Sequence, residues 1–202
     1  MPNISNVHVY NLEESIKAAK YPMAVDISKL NSELTKGIQA CASCGTGEGH
    51  DNFLNGIVVT FDLTFSNKAF IELERYHHID FICSQSTIHR LNKFDIKSQC
   101  NRYVDPRIID ILNNKVKEYN RLVEAKASPE LIKEARLEML YNTPAGFELT
   151  AAMVTNYRQL KTIYQQRRNH ILPDWQMFCD WVETLPRFLE LTQPNLDEDV
   201  TK

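Results

Sequence analysis

No run of apolar residues in this 202-residue chain approaches the ~18 or more needed to cross a bilayer, so no membrane span and no membrane partner are expected. Excess positive charge is also missing. The net charge is −3 and the pI about 6.1, which argues against broad attachment to a nucleic-acid polymer. The opening residues, MPNISNVHVYNLEESIK, show no basic start followed by an apolar stretch; no secretory signal is expected, and a cytoplasmic location is. Five cysteines, an odd number in a chain too long to need covalent staples, read as reduced thiols. Common catalytic signatures are absent as well. There is no G-x-S-x-G elbow, and GTGEGH lacks the Lys-Ser/Thr ending of a phosphate loop and does not open a helix after a strand. Cys41 and Cys44 form a C-x-x-C without the second pair that a structural zinc site requires. His77 and His78 are adjacent, so on a helix they would point about 100° apart and would not readily share one ion.

The patterns present describe a mixed α/β domain. Leu30, Leu34, Ile38 and Cys41 share one helical face, which predicts a helix over DISKLNSELTKGIQAC. A glycine-rich loop follows. IVVTFDLTF alternates, with Ile57, Val59, Phe61, Leu63 and Phe65 on one side and polar residues on the other, as in a half-buried strand. Ser66 is placed to cap the next helix, NKAFIELERYHH. Further strands are expected near the N-terminus and within residues 79–96. Pro106 opens a helix marked by Ile108, Leu112, Val116, Tyr119 and Val123, and Ser128 with Pro129 starts another. YNTPAGFELT reads as a turn, AAMVTNYRQLKTIYQQRR as one long helix stopped by Pro173, and DWQMFCDWVETLPRFLEL as a final aromatic helix. A single domain is expected over residues 1–190, with an acidic, flexible tail over 191–202.

The densest chemistry lies in RYHHIDFICSQSTIHR, Arg75 to Arg90, with three histidines, two arginines, a cysteine, an aspartate and Ser84, Ser86 and Thr87. Arg136, Arg158, Arg167 and Arg168 add further guanidinium groups. Their fixed fork suits phosphate, and hydroxyls complete such a cradle. The plainer reading is a set of solvated helix faces paired with the many glutamates.

Two longer stretches decide between these readings. GHDNFLNGIVVTFDLTFSNKAFIELERYHH, from Gly49, gives Gly-His, a short loop, a Thr-Phe strand and a helix ending in Arg. EARLEMLYNTPAGFELTAAMVTNYRQLKTIYQQRR gives Glu134 and Arg136, Pro144, Thr150, then Asn156, Arg158 and Leu160, with Arg167 or Arg168 further on. In this order the two blocks resemble the flavin-dependent thymidylate synthases, with one residue fewer between Glu134 and Arg136 than in that family's Glu-x-Ala-Arg, and Trp175-Gln176 echoes its Gln-Trp. The likeness spans residues 45–185. It departs at the family's Arg-His-Arg-x-x-Ser-x-Asn-Glu-x-Ser-x-Arg hallmark. Arg75 keeps the first arginine, while Tyr76 and His77 replace the next two residues. With one residue inserted, Ser86 falls on the second serine, Ser84 on the glutamate and Ile88 on the last arginine, leaving Arg90 displaced by two.

The resemblance implies an antiparallel sheet flanked by long helices and a homotetramer with sites between subunits. It also implies FAD as cofactor, NADPH and methylenetetrahydrofolate as co-substrates, and methylation of dUMP to dTMP. By position, Arg167 would polarise the pyrimidine carbonyl and His50 would sit near the flavin ring. Arg136 and Ser86, with Ser84, Arg90 and Arg168, would hold the substrate. Arg75, His77, His78, Asn156 and Arg158 would contact FAD. No metal is implied. The altered hallmark leaves a second reading open: a homologue that binds flavin or nucleotide without turnover, or one that modifies a different pyrimidine nucleotide.

Overall fold

The computed structural model describes residues 3–45 and 47–193. Four strands form one antiparallel sheet in the order β1-β2-β4-β3: β1 (Asn3–Tyr10), β2 (Val58–Ser66), β3 (Asp80–Ser84) and β4 (Glu148–Asn156). The helices are α1 (Leu12–Ala18), α2 (Lys36–Ser43), α3 (Asn67–Leu73), α4 (Thr87–Arg90), α5 (Ile96–Gln99), α6 (Pro106–Glu124), α7 (Pro129–Tyr141), α8 (Tyr157–Arg167), α9 (Pro173–Glu183) and α10 (Phe188–Thr192). No helix among the described residues is long and apolar enough to cross a membrane.

Internal contacts divide the chain into two compact units. The first is built mainly from Leu63–Arg75 and Cys83–Ala151. Its core is Leu91, Ile96, Leu112, Val116, Met139 and Phe147, against which Ile109, Tyr119 and Leu140 pack. Burying each such aliphatic side chain contributes about 1.5–3 kcal/mol. Ser66 caps α3 by accepting from the Ala69 N–H at 3.2 Å, and Ser128 caps α7 by accepting from Leu131. Gly146 sits where a Cβ would run into Val104 and Asn101, so only glycine fits.

The second unit comprises Ile4–Asp62, Tyr76–Ile82 and the described part of Ala152–Lys202. Leu54, Ile57, Val59, Phe61, Met153, Tyr157, Leu160, Trp175, Phe178 and Phe188 form its core. Phe61 lies 4.6 Å from Trp181 between ring centroids, and Trp175 meets Phe178 edge-on at 5.8 Å.

Several expected elements change. The helix predicted from Asp26 forms only over Lys36–Ser43, because Asp26 and Asn31 bind the N–H groups of Ser28 and Glu33 and so favour turns. Leu30 and Leu34 consequently share no helical face with Ile38. Helix α3 stops at Leu73 and does not reach the histidines. On α6, Ile108 and Val123 point outward and the inner stripe is Ile109, Leu112, Val116 and Tyr119. Residues 148–156 are a strand, not turn and helix: Ala151, Met153 and Thr155 alternate inward, and Asn156 caps α8. Pro173 starts α9, with five residues between it and the end of α8, and the aromatic helix is two, broken at Arg187 with φ 58°. Of the expected tail, residues 194–202 lie outside the described residues, whereas Leu191 and Thr192 are buried in α10.

Candidate functional site

The site is built around a carboxylate. Gly47 and Gly49 take positive φ, 96° and 80°, a turn that a side chain would strain, and the chain then delivers Asp51 to the interior of the second unit at 2% exposure. Lys161 meets it from α8, also buried. Its ammonium donates to Asp51 Oδ2 at 2.7 Å, to the Ala42 carbonyl at 2.8 Å and to the Cys44 carbonyl at 2.9 Å. All three ammonium protons are thereby used. The two carbonyls belong to the C-terminal end of α2, where the helix dipole favours a cation. Arg158 is the second cation: its Nε lies 2.9 Å from Asp51 Oδ1, close enough for an ion pair but not aligned as a hydrogen bond. Its terminal nitrogens have no partner among the described residues.

Sequence reasoning missed Asp51 and Lys161. The available signal was the position of Lys161 on the apolar face of α8, among Tyr157, Leu160 and Tyr164, where a lysine requires a buried acceptor.

A cleft of about 530 Å³ opens beside this cluster, lined by Asp51, Asn55, His77, His78, Asn156, Arg158, Gln159 and Thr162. That volume falls within the ~300–1,000 Å³ usual for small-molecule sites. Asn156 caps α8 and Arg158 and Gln159 belong to its first turn, so the positive end of an 11-residue helix borders the cleft. His78 is held in the left-handed region (φ 60°), and its carbonyl accepts from the Thr155 hydroxyl at 2.8 Å. Two cations against one carboxylate leave one net positive charge. The structure thus gathers four of the five expected cofactor residues, Asn156, Arg158, His77 and His78. Arg75 is exposed in the first unit, and His50 is exposed just before Asp51.

Arg167 lies between two rings, 4.7 Å from the Trp175 centroid and 5.5 Å from that of Tyr76, and donates through Nε to the Tyr76 hydroxyl at 2.7 Å. Tyr76, standing where the family has histidine, in turn donates to Gln166 at 3.0 Å. Arg168 is committed to α9, at 2.7 Å from Asp180 and 3.0 Å from Glu183. Tyr164 donates to Glu183 at 2.6 Å, and burial together with that carboxylate pushes its hydroxyl up to about 12. In the first unit, Arg136 donates to the Ile88 carbonyl on α4, the helix that Ser86 caps by accepting from His89. Ser84 ends β3 just before it and Arg90 is its last residue, both exposed. The expected substrate residues other than Arg168 are therefore neighbours around α4.

The fold matches solved structures over nearly its full length. Two are of thymidylate synthase X from Helicobacter pylori with FAD and dUMP. In the first, TM-score 0.68 and 15% identity accompany coverage of 97% of this chain and 99% of that one. In the second the values are 0.66, 15%, 95% and 98%. The fold is that of the flavin-dependent thymidylate synthases. A UMP/dUMP methylase, PolB, from Streptomyces cacaoi bound with 5-Br dUMP also shares it, with TM-score 0.61, 16% identity and coverage of 95% and 92%. No protein-family model matches the sequence, and no curated protein is significantly similar to it.

Proposed function

We propose that this protein is an FAD-dependent methyltransferase that converts dUMP to dTMP, with methylenetetrahydrofolate as carbon donor and NADPH as reductant. The observation that carries the reading is the convergence of Asn156, Arg158, His77 and His78 on one cationic cleft of a thymidylate synthase X-like fold. The residues fit a phosphate-bearing cofactor. The terminal guanidinium nitrogens of Arg158 have no partner among the described residues, the α8 N-terminus borders the cleft, and the buried carboxylate is over-neutralised. Bound FAD would supply the hydride chemistry. Asn156, Arg158, His77 and His78 would hold it, with His50 placed near the ring. Arg167, fixed between Tyr76 and Trp175, would direct its charge at a pyrimidine carbonyl and favour the negative charge that builds there. Arg136, Ser84, Ser86, Arg90 and Arg168 would serve the nucleotide, although Arg168 would first have to leave Asp180 and Glu183. The exposure of Ser84 and Arg90, and of Phe81 and Ile82 on the edge strand β3, supports a homotetramer with shared sites.

A second reading has its own support. The residues around α4 depart from the hallmark, and the Streptomyces methylase is named for both UMP and dUMP. A different pyrimidine monophosphate, or ligand uptake without turnover, follows from that reading. The deciding experiment is an absorption spectrum of the purified protein, then NADPH oxidation with and without methylenetetrahydrofolate and dUMP or UMP. Flavin colour with dUMP-dependent oxidation and dTMP formation supports the proposal. Flavin bound without turnover on dUMP removes it in favour of the second reading, and a protein that takes up no flavin removes both flavin readings.

A further inference from the structure

We infer that Lys161 is a positioning residue that neutralises Asp51 permanently, leaving Arg158 free to exchange between Asp51 and an anionic ligand in the cleft. The inference rests on the reading of the cleft as a phosphate site and adds to it how the phosphate-binding arginine is released. The two cations differ in every respect that matters. Lys161 is 2% exposed, and each of its three protons has an acceptor within 2.9 Å, so it has nowhere else to go. The Arg158 side chain is 33% exposed, touches Asp51 by one misaligned nitrogen and lines the open cleft.

A carboxylate buried to this degree requires one cation at all times, since an uncompensated charge there is strongly unfavourable. If Arg158 were that cation, moving it toward a ligand would strand Asp51. Because Lys161 already fills the role, Arg158 can turn its guanidinium to an incoming phosphate at the cost of one poorly aligned contact, and Asp51 Oδ1 is then free to accept from a ligand hydroxyl or N–H.

The test uses inorganic pyrophosphate and FAD as separate probes, titrated calorimetrically against the full-length protein and three variants. Asp51→Asn removes the competitor, so pyrophosphate should bind on the order of five-fold tighter, the low end of site-to-site coupling. Lys161→Met makes Arg158 the only counter-ion and should weaken binding by a similar factor although Arg158 is intact. The double variant Asp51→Asn/Lys161→Met should recover the affinity of Asp51→Asn alone, a rescue that a merely structural role for Lys161 would not produce. Unchanged or weaker binding by Asp51→Asn overturns the inference, as does a double variant no better than Lys161→Met. Should Lys161→Met fail to fold by circular dichroism, the single Asp51→Asn titration decides alone. Failure of the wild-type protein to bind either probe overturns the exchange and the proposed function together. Normal FAD binding combined with weaker pyrophosphate binding by Asp51→Asn overturns the exchange only.

Discussion

Carboxylates meet cations at similar distances in the two units, yet the consequences differ. In the second unit, Asp51 lies 2.7 Å from Lys161 and 2.9 Å from Arg158 with the carboxylate and ammonium buried. In the first, Lys115 pairs with Glu138 at 2.8 Å and Arg121 with Glu118 at 2.7 Å, on exposed faces of α6 and α7. Distance does not rank these contacts; access of water does. Exposed pairs are worth about 0–1 kcal/mol because water screens them and both side chains lose freedom. Breaking a buried pair strands a charge and costs about 3–5 kcal/mol. Burial also bears on the proposed function: the shielded cluster holds a guanidinium half-engaged beside an open cleft.

The sharpest way to break this comparison is to delete one ammonium from each region. Lys161→Met should lower unfolding stability by several kcal/mol in urea, since Asp51 Oδ2 and two carbonyls each lose a donor at about 1–3 kcal/mol apiece, while Arg158 still faces Asp51. Lys115→Met should lower it by less than about 1 kcal/mol. Equal losses would show that burial does not set the difference.

Thiol chemistry follows the same division between buried and exposed. Cys179 is buried and Cys100 half-buried, and burial pushes both thiols up to about 11 from an ordinary 9.0, with Glu148 adding to the effect at Cys100. In the native state an aromatic disulfide reagent should modify exposed Cys83 first and reach Cys179 only after denaturant. The sign of the pH effect follows from linkage. Because the folded state holds these protons more tightly, the stability they contribute is fully present below pH 9 and is lost as pH rises toward about 11. Denaturation midpoints should fall across that window, and replacing Cys179 with Ala should flatten part of the fall. Smallest of all should be Arg107→Ala. Arg107 holds the Asp105 carboxyl below its usual range, but both groups are in water, so stability should change within experimental scatter.

How much of this was legible beforehand varies by element. The alternation of Val59, Phe61, Leu63 and Phe65 identified β2, and Ser66, Ser128 and Pro129 marked helix starts that the structure contains. Strand β4 was misread because Ala151, Ala152 and Met153 are good helix formers and run straight into α8. Tertiary pairing overrode that propensity, and Asn156 was the cap that divided the two elements. Of the residues that line the cleft, motif order picked out Asn156 and Arg158. Asp51 and Lys161 were not legible, since a lysine beside arginines reads as solvated surface until its face of the helix is known to be buried. Oligomeric assembly leaves no local pattern of this kind; light scattering should return four times the 23.4 kDa chain mass if the shared-site reading holds.

The central claim is that Arg158 in the α8 cleft holds the phosphates of a flavin nucleotide. Fluorescence titration of FAD against the wild-type protein and Arg158→Gln tests it most directly. Saturable binding that weakens about ten- to one-hundred-fold in the variant, with folding unchanged, is the predicted result for losing a charge-assisted contact worth about 1.5–3 kcal/mol. Equal affinity in both proteins, or no FAD binding by the wild type, would contradict it.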